Sequence, residues 1–297
     1  MVQLRAVQLH PNSPTIIVQL STYGIELAYL LNKLASTPFN KFEFDTLAKD
    51  AELESEELLD PASTTLKAQK FYASAAGGFL HNASHIAYET WHAKTGRFTP
   101  LIIGSICRSG LDYSCYCWYI LKHRPIDKKI KHTYGMLGKS LSDFSWTSEG
   151  TLFGSDIHQT VVNWGNEKNI KLPNKFVATD LSKELSAMES DPYGLLSDID
   201  HGNLNLMTLS VIDVQEDLGL NFQIDFRSLA ILFEACLTIA KEYYSQIVQK
   251  PTDETKYKLD EFERFKDHIS PLGDGHVFGE PKDIPDRTRE YLRQMKE

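Results

Sequence analysis

The hydrophobic pattern changes character along the chain, and one stretch stands apart. Residues 98–123, FTPLIIGSICRSGLDYSCYCWYILKH, open on a Pro and run on with only two Gly as breakers, which predicts a single helix. Its apolar residues, from Leu101 through Ile106 and Leu111 to Trp118 and Leu121, go almost all the way round, so this helix belongs inside a bundle. Before it, TLKAQKFYASAAGGFLHNASHIAYETWHAK predicts a long helix from about residue 65 to Lys94, after a break and cap at Pro61–Thr65. A short link makes the two antiparallel neighbours. STYGIELAYLLNKLAS predicts a helix beginning at Ser21, and the β-branched residues of 1–20 suggest short strands or a peripheral arm. Pro125 starts a further helix to about Asp143, whereas 145–175 is rich in turn formers and reads as an irregular excursion. Helical pattern resumes at Thr179-Asp180, at Asp191-Pro192, over the strongly apolar stretch 224–248, and over a charged stretch at 253–267. The acidic run at 47–60 reads as a solvated helix face.

The expected fold is therefore mainly α: a helical bundle around a buried central helix at 98–123, its core formed by residues 65–248. Residues 1–60 are expected as an N-terminal appendage, and 249–297 as a charged helix and peripheral tail. Composition fits: 297 residues, 42% hydrophobic and 24% charged, are ordinary for one globular core. The net charge of −9 excludes a protein that coats nucleic acid as a whole, while leaving room for a local basic site. Arg5 and His10 interrupt any secretory signal, and no apolar run reaches membrane-spanning length. With four Cys and no C-x-x-C pair, free thiols and a cytoplasmic location are expected, with no membrane partner.

Charge inside the central helix gives the first candidate site. Arg108 and Asp112 lie one turn apart on one face, and isolated burial of either would cost several kcal/mol. Downstream, Tyr193, Ser197 and His201 fall four residues apart, on one face if the segment is helical, with Gly202 suited to end it. This row offers partners: Asp112 to orient His201, and Arg108 to take a phosphate or carboxylate, or else all five form a polar network that fixes helix register. Arg108-Ser109-Gly110-Leu111-Asp112, followed by Y-x-x-L-S-x-x-x-H-G, resembles a group of uncharacterised bacterial all-α proteins loosely similar to HEPN-type bundles and abortive-infection proteins of phage defence. The resemblance covers about residues 65–248. It implies a helical defence or toxin-type protein acting on RNA or binding a nucleotide, and a metal-independent ribonuclease site at Arg108, Asp112, His201, Ser197 and Tyr193. HEPN ribonucleases pair an Arg and a His separated by four to six residues on a helix; in this chain the only R-x4-H spacing is Arg5–His10, outside the expected core helices. The other reading is a non-catalytic interaction or regulatory protein, or a homodimer, with a structural polar core.

Two more clusters carry candidate chemistry. Lys122, Arg124, Lys128, Lys129 and Lys131 form a basic patch at the end of the central helix, either a nucleic-acid backbone contact or a dressed helix end. His81, His85 and His92 fall within roughly 40° on a helical wheel with Glu89 at the edge. H-x-x-x-H is a metal-ligand spacing, yet no Glu follows His81, and a solvated or interface face is the alternative. No bound metal or cofactor is expected.

Overall fold

The computed structural model describes residues 7–9, 11, 13–36, 61–92, 100–123, 126–142, 166, 177–201, 207–208, 210–213, 219–247, 252–270 and 279–281. Its helices are α1 (Ser13–Ser36), α2 (Pro61–His92), α3 (Pro100–Leu121), α4 (Ile126–Ser142), α5 (Ala178–Leu185), α6 (Pro192–Asp200), α7 (Leu220–Ile247) and α8 (Asp253–Ile269). A two-stranded antiparallel ribbon pairs β1 (Val7–Leu9) with β2 (Gly279–Pro281). The mainly α bundle expected from the pattern is the fold observed. The expected excursion at 145–175, apart from residue 166, the acidic run at 47–60, Gly202 and Arg124 fall outside the described residues.

Helix α3 is the hub. It runs antiparallel to α2, with Phe79 beside Gly110 and Tyr113, and the Gln69 carbonyl accepting from Cys117 Sγ at 3.7 Å. It runs parallel to α7: Leu232 packs on Gly110, Ser114 faces Cys236, and Gln246 Nε2 donates to the Leu121 carbonyl at 2.8 Å. A Cβ on Gly110 would come within 2.7 Å of Leu232 and 2.9 Å of Phe79, so the two glycines of the hub are places of closest helix approach rather than breaks. All four cysteines are buried and free, and burial pushes each thiol well above its ordinary range.

Several expectations are corrected. Helix α1 begins at Ser13, with Pro14 in its first turn, not at Ser21. Ser21 and Thr22 are not caps; their hydroxyls donate to the Ile17 and Val18 carbonyls one turn back. Pro61 likewise opens α2 instead of breaking the chain. Neither α1 nor α8 is peripheral: Ile17, Leu20, Leu27, Leu31 and Phe262 are fully buried in the same core as α3. Trp118, read as core, is only half-buried, its Nε1 donating to Glu184 at 2.8 Å.

Candidate functional site

The residues that meet Arg108 are placed by α7. Glu234 accepts from Ser186 Oγ at 2.8 Å and from the Ala187 and Met188 amides at 2.8 and 3.1 Å, and Arg227 pairs with Glu189 at 3.3 Å. These bonds fix the link between α5 and α6. Asp191 then caps α6 by accepting from the Gly194 amide at 3.1 Å, with Pro192 in the first turn. Along α3, Gly104 lets Ile199 sit where a Cβ would come within 2.4 Å of it, so α6 lies close on α3. Tyr193 thereby slides under Arg108, whose guanidinium carbon stands 3.8 Å from the ring centroid.

Arg108 is almost wholly buried and pairs with Asp112 one turn on. Burial raises the Asp112 carboxyl above its usual range, reinforced by Asp200 and opposed by Arg108. Burial and the nearby Asp112 charge also raise the Tyr193 phenol. The Arg108 charge is thus covered by Asp112 on one side and an aromatic face on the other. Of the five residues expected here, Arg108, Asp112 and Tyr193 come together. Ser197 is half-buried, and its carbonyl accepts from the His201 amide at 2.9 Å. His201 is exposed at the end of α6 and makes no side-chain hydrogen bond or ion pair among the described residues. The row is thus split: Tyr193 meets the Arg108 guanidinium, whereas His201 stands at the exposed end of the helix.

Beside this pair lies a surface that sequence reasoning missed. Ser105, Ser109, Asp112, Tyr113 and Tyr116 occupy roughly a 100° arc of α3 that neither α2 nor α6 fully covers. Rings from α2 and α3 collect along this seam. Phe79 stacks on Tyr113 at 5.4 Å, Tyr72 lies 5.4 Å from Tyr116, and Phe71, 59% exposed, meets Tyr113 edge-on at 6.1 Å. Tyr116 is near enough to Asp112 and Tyr193 that both reinforce burial in raising its phenol, so the rings continue to the Arg108 pair. The signal was the Ser-Ser-Asp-Tyr series on one side of a helix otherwise apolar all round.

The basic patch divides. Lys129 points inward, 4% exposed, and donates to Gln69 at 3.4 Å and to Gln246, so it is withdrawn from the nucleic-acid contact expected of it. The buried Gln69 amide on α2 and the half-buried Gln246 amide on α7 hold it because its place on α4 faces the core. Lys122 donates to both oxygens of Glu184 at 3.0 Å. Lys128 is exposed and Lys131 half-exposed, with no carboxylate partner among the described residues. Between them, His123 and His132 stack with centroids 3.8 Å apart. On α2, His81 meets Tyr29 edge-on, His92 stacks on Tyr88, and among the described residues no three metal-ligating side chains converge.

No helix among the described residues is long and apolar enough to cross a membrane. Comparison with known proteins finds no matching family model, no matching curated protein and no matching solved structure.

Proposed function

We propose that the chain is a cytoplasmic helical protein that binds a nucleotide or a short single-stranded RNA segment along the α3 seam, without cleaving it. The observation that carries this reading is the aromatic seam itself. Rings from two helices stand partly exposed in mutual contact, and bases stack on such platforms for roughly 1–3 kcal/mol each. The nucleotide ligand is shared with the HEPN-like expectation; catalysis is not. Arg108 is neutralised by Asp112 and roofed by Tyr193, and His201 faces solvent, which supports a structural role for the pair: it holds α6 against the hub.

The test is calorimetric titration of the full chain with mononucleotides and short homopolymer RNA. Tyr113→Ala and Tyr116→Ala should each weaken binding by roughly tenfold, within the stacking range above, while circular dichroism stays helical. His201→Ala should leave both binding and melting temperature unchanged. Absence of nucleotide and RNA binding would overturn the reading. A seam that instead mediates self-association, seen as a concentration-dependent mass lost in Phe71→Ser, would move the protein to the interaction class, since exposed aromatic rings are also the anchors of protein interfaces.

A further inference from the structure

The corner where α3 meets α4 has a chemistry of its own. His123 follows the end of α3, His132 lies on α4, and their rings stack at 3.8 Å with planes 27° apart. Tyr119 closes one side, edge-on to His132 at 4.8 Å. His132 Nδ1 lies 2.7 Å from the Lys128 carbonyl oxygen, which only accepts, so Nδ1 carries the proton and Nε2 of the neutral ring is left as an acceptor. Lys122 and Lys128 act electrostatically on both imidazoles, and Lys131 acts on His132. Glu184 of α5 faces the corner and is already occupied by Trp118 and Lys122. Three ammonium groups therefore act on two rings that gain N–H donors when protonated.

The geometry points to a binding site for a phosphomonoester-type dianion at this corner, formed by Lys122, Lys128, Lys131 and the stacked His123 and His132. The lysines act on one stacked histidine pair, and a charge cluster of that kind suits a compact double charge better than a polymer backbone. The lysines outnumber Glu184 among the groups acting on the two rings, a positive surplus that suits an anion. At rest the rings are kept neutral: partial burial, mutual repulsion and the lysines hold His123 down to about 4 and His132 below the usual histidine range. A bound dianion reverses that balance. The bound form takes up protons, and affinity must rise as pH falls through the raised histidine values.

The experiment uses the full chain and sulfate, which remains a dianion throughout, so any pH dependence belongs to the protein. Imidazole proton resonances of His123 and His132 are followed by NMR as sulfate is added at constant ionic strength. Saturable shifts of both rings are expected, with affinity rising about tenfold between pH 8 and pH 5, the equivalent of the His123 value rising by about two units from its resting value of about 4. Lys128→Ala with Lys131→Ala, both changes at the surface, should abolish the saturation. His123→Gln with His132→Gln should flatten the pH dependence while leaving weak binding at pH 8. Inorganic phosphate and adenosine 5′-monophosphate identify the source: equal affinity marks a free anion, and tighter binding of the nucleotide marks a terminal phosphate. Overturning results are rings that do not respond to sulfate, an affinity indifferent to pH, or RNA without a terminal phosphate outcompeting the mononucleotide. The seam takes no part in sulfate binding, so either proposal can fail while the other stands.

Discussion

Single residues in this protein are governed by how much water their charge retains. Arg108 has almost none, and it is tolerated because Asp112 and the Tyr193 face replace its hydration. The sequence made the need for partners plain, since two charges one turn apart in an apolar helix are visible without coordinates. It also pointed to Tyr193. It did not reveal that His201 turns away, because four-residue spacing promises one face only while a helix packs along its whole length. Nor did it separate Lys129 from Lys128 and Lys131; which lysine of a helical run faces inward depends on where α2 and α7 lie. The same accounting makes His123 a pH sensor of stability. Its folded value, about 4, lies below the unfolded value near 6.5, so the folded state prefers the neutral ring. The stabilisation is fully present above about pH 6.5 and is lost as pH falls toward 4, where the unfolded chain binds the proton first. His132 is displaced in the same direction. Chemical denaturation of the wild type and His123→Gln should thus show a stability gap that narrows by about 1–2 kcal/mol from pH 7 to pH 4, after allowance for the partly solvated ring. Carboxylates titrate in both proteins and cancel in the comparison. A constant gap would refute the assignment.

At the scale of elements, glycines decide how closely the hub is approached. Gly104 and Gly110 lie within helix α3 and look in the sequence like weak points; in the fold they are where α6 and α7 come nearest. A Cβ at Gly104 meets the branched Cβ region of Ile199 rather than a flexible chain end, so α6 must move outward and carry Tyr193 off Arg108. Gly78 on α2 is the opposite case, with nothing within 4 Å of an added Cβ. The expectation is that Gly104→Ala and Gly110→Ala each destabilise by about 1–3 kcal/mol through overpacking. Gly78→Ala should stabilise by about 0.5–1 kcal/mol, because a helical Gly loses more backbone entropy on folding than Ala. Thermal and denaturant melts of the three variants decide it, and a reversed order would contradict the packing. Element boundaries were legible where Asp191-Pro192 opens α6, with Asp191 as cap and Pro192 in the first turn. They were misjudged at Ser13, where β-branched residues were taken for strand, and at Pro61, where Pro was taken as a break instead of as the first turn.

At the scale of the molecule, the described helices of the expected appendage and tail, α1 and α8, pack into the same core as the bundle. Helix α1 lies antiparallel on α2, with Gly24 against Ser84 and Gly77 against Ala28. Its Ile17, Leu20, Leu27, Leu31 and Leu34 are buried. Tyr23 packs on Phe262 and Phe265 of α8 and donates to Glu261 at 3.1 Å, while Phe233 of α7 meets the same two rings, so α1, α7 and α8 share one aromatic junction. Five large side chains leaving water contribute roughly 7–15 kcal/mol in total, as much as the entire stability of an ordinary domain. A fragment of residues 65–248 should consequently fail to fold cooperatively. It would expose the α2 face that α1 covers, around Leu80 and Ala83, and the α7 face around Phe233. The expected behaviour is helical circular dichroism without a sharp thermal transition, strong binding of a hydrophobic dye and collapsed amide dispersion in NMR. Restoring α1 and α8 should bring back a single transition. A 65–248 fragment melting as sharply and as high as the full chain would show that α1 and α8 are accessory after all, and that the bundle read from the hydrophobic pattern is complete without them.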